Sequence, residues 1–406
     1  MNSSALTPSF RPPQGAPAAA RSVFKLLERL RFGSLDVQLP DGGSAHFGSA
    51  DGPRAAIRIK HWDVCAATLR SGDIGFAESF VAGHWSTPDL RALLELFVRN
   101  REALEEVVYG SWWGALAHRV QHWLNRNSRA GSRKNIHAHY DLGNNFYKLW
   151  LDSSMNYSSA WFDGELARPM GEAQQAKMQR ALRECQVQPG QRVLEIGCGW
   201  GALAECAARD FGAKLTGVTL SSEQLAWGQK RLVDAGLEGQ AELRLQDYRD
   251  IQEPAFDAVV SIEMFEAVGR AYWDGYFNTV HSQLKPGGRA CIQSITIRDD
   301  LFERYTRSSD FIQQYIFPGG MLPSPSVFRA QAEKAGLRVV NELAFGLDYA
   351  ETLRRWREDF LQRDAEVRQL GFDTRFMRLW EFYLAYCEAA FAAGNTNVMQ
   401  FTLLRD

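Results

Sequence analysis

The sequence lacks the features that define several classes of protein. Its 406 residues include only six cysteines and no CxxC pair, which argues against a zinc site or a disulfide framework. No stretch approaches the roughly 20 apolar residues needed to cross a bilayer. The first 22 residues have no apolar core of a secretory signal. We therefore expect a cytoplasmic protein without a metal centre.

The charge is small overall but unevenly spread. The net charge is −2, yet residues 1–134 carry 17 Lys and Arg against 12 Asp and Glu, whereas the remainder carries 29 against 36. A basic front part indicates an anionic partner, either nucleic acid or an anionic membrane surface. Scattered, solvated arginines are the alternative interpretation.

Composition shifts along the chain predict four segments. Residues 1–22 are rich in Ala, Pro and Ser, which predicts a disordered tail, and 23–124 combine short strands with helices in an N-terminal α+β accessory domain. The polar run 125–135 is typical of a linker. Residues 136–406 alternate β-rich runs with helical stretches, the pattern of an α/β fold with a doubly wound parallel sheet. The β-rich runs are 192–197, 213–220, 241–247, 257–263 and 289–297.

The strongest local signal is a glycine-rich turn after the first of these strands. Gly197, Gly199 and Gly201 follow the strand RVLEI, and a helix is predicted from about Ala202. Glycine allows a tight turn and lets a ligand approach the backbone, because no Cβ stands in the way. A GxGxG cluster alone is weak, and a tight strand–helix turn is the alternative.

The residues at the ends of the next two strands indicate which class of cofactor is bound. Thr219 ends the second strand, where a dinucleotide-binding enzyme usually has Asp or Glu for the ribose, which argues against NAD. Asp247 and Tyr248 follow the third strand, where an adenine can stack. The turn 284–288 precedes the fifth strand. Together these elements resemble the class I S-adenosylmethionine (SAM)-dependent methyltransferase fold, a Rossmann-like sheet of seven strands.

Further motifs narrow the resemblance to one family. They are HYDLGNNFY (139–147), MNYSSA (155–160), MFEAVG (264–269), YIFPGGMLPS (315–324) and FYL (382–384). This set resembles the cyclopropane-fatty-acyl-phospholipid synthases and the mycolic-acid cyclopropane synthases. The similarity covers roughly residues 135–406, and 23–124 match a less specific N-terminal extension that is implicated in lipid engagement.

The resemblance implies a reaction and a set of site residues. SAM would methylate the cis double bond of an unsaturated phospholipid acyl chain, and loss of a proton from the new methyl group, with bicarbonate as the base, would close a cyclopropane. Position by position, the residues that would line the cofactor are Tyr157, Ser158, Gly197, Gly199, Thr219, Gln224, Tyr248 and Ile262. Those that would serve catalysis around bicarbonate are Glu266, Tyr383, Ser159, Gln293 and Ile295. A carboxylate that caps the turn 267–269 is the alternative for Glu266.

Three positions depart from the family pattern. Ser159 stands in place of a cysteine, Gln293 in place of a histidine, and Ala267 in place of the histidine that commonly follows the glutamate. Gln293 can donate a hydrogen bond but cannot titrate near neutrality. Bicarbonate binding is therefore open, and so is the product: a cyclopropane, or a methyl-branched or unsaturated chain from the same carbocation.

Other functions stay open beside this one. A methyltransferase for a small soluble molecule would use the same fold, and a non-catalytic lipid-binding paralogue would keep only the membrane contact. Nucleic-acid methylation is disfavoured, because the Asp/Asn-Pro-Pro-Tyr/Phe motif is absent and the catalytic part is acidic. We expect peripheral association with the inner face of the membrane, and family habit predicts a homodimer.

Overall fold

The computed structural model describes residues 12–49, 51–108 and 142–406. The predicted linker 125–135 lies outside them. The chain forms two compact units, one of residues 1–119 with 372–393 and one of residues 120–371 with 394–406. The elements described in the structure are α1 (Ala18–Leu27), β1 (Ser34–Gln38), β2 (Ser44–Gly48), β3 (Arg54–Ile59), α2 (Asp63–Val81), β4 (Trp85–Ser86), α3 (Leu90–Arg99), α4 (Arg101–Val108), α5 (Asn144–Tyr147), α6 (Met170–Glu184), β5 (Arg192–Ile196), α7 (Ala202–Phe211), β6 (Lys214–Thr219), α8 (Ser222–Asp234), β7 (Ala241–Leu245), β8 (Phe256–Ile262), α9 (Trp273–Gln283), β9 (Leu284–Ile297), α10 (Asp299–Tyr305), α11 (Pro325–Lys334), β10 (Leu337–Ala344), α12 (Gly346–Gln362), α13 (Asp364–Gln369), α14 (Thr374–Ala392) and β11 (Thr396–Arg405).

The first unit is the expected α+β accessory region. Its sheet has the order β2-β1-β3-β4, with β1 antiparallel to β2 and parallel to β3. Leu35 and Val37 of β1 are buried whereas Asp36 and Gln38 are exposed, so one face of the sheet packs against the interior. Helix α14 packs against both α2 and α3 in this unit.

Two predicted boundaries differ from the structure. Helix α1 begins at Ala18, so residues 18–22 are helical rather than part of a disordered tail, because Ala20 and Phe24 on this helix are buried. The predicted catalytic domain 136–406 also included α14, which belongs to the first unit. Phe382 of α14 packs its ring against Phe80 of α2 at 5.8 Å between centroids. Such contact between distant parts of the chain leaves no local signal in the sequence.

The second unit contains the predicted seven-stranded sheet. Its order is β10-β11-β9-β8-β5-β6-β7, with β5 to β9 parallel and β11 antiparallel to both β9 and β10. All five β-rich runs form strands in it. Neighbouring residues Val193 and Leu194 of β5 belong to different hydrophobic clusters, as expected for a strand that is buried on both faces.

The topology of this sheet places a crevice at the end of β5. Strands β6 and β7 lie on one side of β5, and the chain then returns to form β8 on the other side. In open α/β sheets, ligands bind at such a switch point, beyond the carboxyl ends of the strands. No helix within the described residues is long and apolar enough to span a membrane.

Candidate active site

The glycine turn at the end of β5 forms one wall of the crevice. Gly197, Gly199 and Gly201 all have positive φ, at 85°, 50° and 81°, a region that side chains other than glycine rarely adopt. A Cβ on Gly197 would lie 2.8 Å from Met264 Cγ. Helix α7 begins directly after the turn, so its free N–H groups and positive dipole end lie at the crevice.

A hydrogen bond joins Thr219 at the end of β6 to Gln224 in the first turn of α8. The Thr219 hydroxyl donates to Gln224 Oε1 at 3.0 Å, and both side chains are buried. Ser221 caps helix α8, since its hydroxyl accepts from the Gln224 backbone N–H at 3.3 Å. The Gln224 side chain therefore has a fixed orientation towards the crevice.

Tyr248 closes the crevice after β7. Its ring packs edge-on against Tyr276 at 5.6 Å, and the Arg249 guanidinium lies 5.6 Å from its centre. Burial raises the pKa of Tyr248 to about 12, so the phenol stays neutral at physiological pH. A neutral aromatic face is available there for a planar base.

All eight predicted cofactor residues line this one pocket. They come from the segment before α6, from the glycine turn and from the ends of β6, β7 and β8: Tyr157, Ser158, Gly197, Gly199, Thr219, Gln224, Tyr248 and Ile262. Glu195 and Glu263, which are not among the predicted site residues, also line this pocket. The glycine turn, the fixed amide and the aromatic face fit SAM.

Glu263 is the centre of a hydrogen-bond cluster at the end of β8. Its Oε1 accepts from the Ser159 backbone N–H at 2.8 Å and from Gln293 Nε2 at 2.7 Å, and its Oε2 accepts from the Tyr349 hydroxyl at 2.7 Å. Its backbone has a φ of 49°. A carboxylate directly after a parallel strand, at the edge where ligands bind, was the signal in the sequence that could have pointed to it.

The described residues do not fit bicarbonate at the predicted place. The Ser159 N–H and the Gln293 amide were expected to contact that ion, but both donate to Glu263 instead. The Ile295 backbone N–H donates to Glu266 Oε1. Two anions sharing the same donors would repel each other strongly in a buried site. Glu263 therefore accepts from two of the donors that the resemblance assigned to bicarbonate.

Lys177 places a buried positive charge beside Ser158 and near Glu263. It is fully buried on α6, and its Nζ donates to Ser158 Oγ and to Gln174 Oε1, both at 2.6 Å. Burial lowers its pKa to about 8, against the opposing attraction of Glu263 and Glu195. Burial raises the pKa of Glu195 to about 8.

The two glutamates after β8 differ in the groups that shift the pKa of their carboxyls. Burial and, to a smaller extent, the nearby Glu263 together raise the pKa of Glu266 to about 8, so Glu266 is mostly protonated at neutral pH. Burial also raises the pKa of Glu263, but Lys177 and three hydrogen-bond donors oppose that shift. We assign the negative charge of the pair to Glu263.

Tyr383 lies in the other unit. It is buried on α14, where its ring packs edge-on against Trp380 at 5.2 Å. The phenol that reaches a carboxylate of this site belongs to Tyr349 on α12. The role predicted for Tyr383 stays a prediction.

Comparison with known proteins agrees with this geometry. The sequence model of the mycolic acid cyclopropane synthetase family matches residues 127–401. The chain belongs to this family. It is 39% identical over 407 aligned residues to the tuberculostearic acid methyltransferase of Mycobacterium tuberculosis, which covers 97% of this chain and 94% of that relative. It is 35% identical over 369 residues to the cyclopropane-fatty-acyl-phospholipid synthase of Escherichia coli K12, covering 90% and 91%.

Solved structures of the mycolic acid cyclopropane synthetase family share the fold. A mycolic acid cyclopropane synthase in complex with SAH and CTAB aligns with a TM-score of 0.63 at 30% identity, covering 67% of this chain and 98% of that one. This family member is thus a SAM-dependent methyltransferase, and SAM is its methyl donor. The predicted family, fold class and methyl donor are confirmed.

Proposed function

We propose that this enzyme transfers the methyl carbon of SAM to the cis double bond of an unsaturated phospholipid acyl chain, with Glu263 accepting the proton that is released. The observation that carries the proposal is the Glu263 carboxylate, held by Ser159, Gln293 and Tyr349 at the rim of the pocket that fits SAM. A carboxylate in a buried site is a weak base that needs no exchangeable anion.

The charges of the site favour a reaction that passes through a carbocation. SAM supplies an electrophilic methyl group, and the alkene that takes it becomes a carbocation. The Glu263 anion lies in a half-buried site, where a fixed negative charge stabilises a positive one more than in water. Glu266 is mostly protonated, which leaves Glu263 as the charged member of the glutamate pair. Proton loss to Glu263 then gives an uncharged acyl chain and a protonated carboxyl.

Two products share this chemistry and differ only in where the proton is lost. Loss from the new methyl group with ring closure gives a cyclopropane, as the name of the Escherichia coli relative suggests. Loss of the proton from a neighbouring carbon of the acyl chain, without ring closure, gives a methyl-branched unsaturated chain. The relative that matches over nearly the whole chain is named a methyltransferase, and Gln293 and Ser159 depart from the cyclopropane pattern, which supports the second product.

The location and assembly of the enzyme belong to the same proposal. We propose that it is cytoplasmic and binds the inner face of the membrane peripherally, through the basic residues among 1–134. Such binding weakens as the salt concentration rises, because the charges are screened. A homodimer is proposed from family habit alone.

The proposal is tested with purified protein, SAM and vesicles of mono-unsaturated phosphatidylglycerol. Mass spectrometry of the acyl chains should show a gain of one CH₂ per modified chain, and chromatography then separates cyclopropane from branched alkene. Acyl chains that all keep their original mass would overturn the proposal. Consumption of SAM with a soluble acceptor in the absence of vesicles would favour a small-molecule methyltransferase, and vesicle binding without SAM consumption would favour a non-catalytic paralogue.

A further inference from the structure

Three side chains behind Glu263 form a continuous line of hydrogen bonds. Arg180 Nη1 donates to Gln400 Oε1 at 2.6 Å, Gln400 Nε2 donates to Gln293 Oε1 at 3.0 Å, and Gln293 Nε2 donates to Glu263 Oε1 at 2.7 Å. Gln293 and Gln400 have no exposed surface. We call these three residues, Arg180, Gln400 and Gln293, the amide relay.

The strand pairing explains why the relay forms. Gln400 of β11 lies directly opposite Gln293 of β9 in the antiparallel register, so the two side chains are cross-strand neighbours. Arg180 reaches Gln400 from α6, and its Nη2 also donates to Asn341 Oδ1 at 2.9 Å. The Gln400 amide further donates to the Lys177 backbone carbonyl at 3.3 Å. Every polar atom of the two buried amide groups named here thus has a defined partner.

The chemistry of the groups sets the direction of the relay. A glutamine amide has a donor end and an acceptor end, but a guanidinium group can only donate. Arg180 therefore requires the carbonyl oxygen of Gln400 to face it, which turns the Gln400 NH₂ towards Gln293. That NH₂ in turn requires the carbonyl oxygen of Gln293, which leaves the Gln293 NH₂ for Glu263.

The opposite orientation of Gln293 would disfavour the Glu263 anion. A flipped amide would place its carbonyl oxygen against the carboxylate, where two acceptors repel each other. A histidine at position 293 could select its protonation state, whereas a glutamine needs an external constraint on its orientation.

We propose that Arg180 and Gln400 are positioning residues of this active site: they orient Gln293 so that its amide donates to Glu263 and keeps that carboxylate ready to accept a proton. This inference rests on the proposed function of Glu263 as the base. Neither residue contacts the pocket that fits SAM. Their effect is therefore expected on catalysis and on the protonation of Glu263 rather than on cofactor binding.

The substitutions at positions 180 and 400 do not alter the other polar and charged groups that face Glu263. Lys177 on α6 attracts it, the Tyr349 hydroxyl on α12 donates to it, and Glu266 in the turn after β8 repels it. Substitutions at 180 and 400 retain all three. Because Arg180→Met and Gln400→Glu also change the charge near Glu263, the uncharged variant Gln400→Met, which should likewise raise the Glu263 midpoint, isolates the effect of the Gln293 orientation.

The experiment follows Glu263 directly in the protein without substrates. Infrared titration measures the carboxylic C=O band, with the Glu263→Gln variant used to assign it. Arg180→Met and Gln400→Glu should each move the protonation midpoint of Glu263 upwards by about one pH unit. Gln400→Glu is nearly isosteric and still pairs with Arg180, so it tests the relay even if Arg180→Met fails to fold. Arg180→Lys keeps a donor and should stay near the wild type.

Steady-state kinetics provide the second readout. Arg180→Met and Gln400→Glu should lower kcat at pH 7 about tenfold and shift the acidic limb of the pH profile upwards, with the KM for SAM within about twofold. Arg183→Met, an exposed arginine one turn away that donates to Gln179, is the matched control and should behave as wild type.

The two hypotheses fail in different ways. A wild type that modifies no lipid overturns the proposed function, yet the infrared midpoint still tests the relay. A midpoint that is unchanged in both Arg180→Met and Gln400→Glu overturns the relay, whatever the lipid assay shows. A rise in the KM for SAM with an unchanged midpoint would mean a structural role only, and overturns it too.

Discussion

Replacing Glu263 by glutamine removes the proposed base while preserving its surroundings. Glutamine Oε1 can accept from the Ser159 N–H and from Gln293 Nε2 as the carboxylate does, at 2.8 and 2.7 Å. Its NH₂ would take the position of Oε2, and the Tyr349 hydroxyl would then accept rather than donate. The hydrogen-bond geometry is retained, so the loss is confined to the negative charge and the basicity.

The expected loss of rate follows from the loss of the negative charge and of the basicity of Glu263. General-base catalysis contributes about 100- to 10,000-fold, and we expect kcat of Glu263→Gln to fall about 100- to 1000-fold, or about 3–4 kcal/mol in activation free energy. The KM for SAM should stay within about threefold, because the glycine turn, Thr219 and Tyr248 are unchanged. The assay is transfer of labelled methyl from SAM to mono-unsaturated phospholipid vesicles.

A chemical rescue separates a base from a merely structural carboxylate. Glu263→Gly opens a space lined by the three donors, and glycine accepts the positive φ of 49° at this position. Added bicarbonate or formate should restore part of the rate in Glu263→Gly and leave the wild-type rate unchanged. Wild-type activity in Glu263→Gln, or a wild-type rate that depends on added bicarbonate, would refute the reasoning.

Three further predictions concern the pocket and the second glutamate. Thr219→Val keeps the shape but removes the hydrogen bond to Gln224, so the Kd for SAM by calorimetry should rise about fivefold to tenfold; an unchanged Kd would show that Gln224 needs no support. Gly197→Ala forces a Cβ to within 2.8 Å of Met264 Cγ at a φ of 85° and should weaken SAM binding more than Thr219→Val, with the exposed Gly239→Ala as the control. Glu266 has a folded pKa of about 8, above the ordinary value near 4.5, so its contribution to stability is present at low pH and is lost as the pH rises through about 8. Glu266→Gln should therefore flatten the decline of the unfolding free energy between pH 5 and 8 in urea titrations, and an equally steep decline in this variant would contradict the assignment.

Much of the site could be predicted from the sequence because its signals are local. The glycine turn, Thr219 with Gln224, and Tyr248 each lie within a few residues of a strand end, and parallel strands bring such ends to one edge. Glu263 directly follows β8 at the same edge of the sheet, but no residue within that segment distinguishes it from an ordinary surface carboxylate. Tyr349 was missed for the same reason, since it lies 86 positions after Glu263 and no sequence pattern pairs the two.

The sequence by itself determined the family, the alternation of strands and helices, and the residues that line the pocket at the end of β5, because hydrophobic period and glycine spacing act over a few residues. The tertiary structure decided which groups surround the Glu263 carboxylate. Only the fold brings Ser159, Gln293 and Tyr349 onto one carboxylate and sets Arg180 and Gln400 behind it. It also assigns α14 to the first unit. These contacts join residues far apart in the chain, and burial determines their protonation, so neither could be read from local composition.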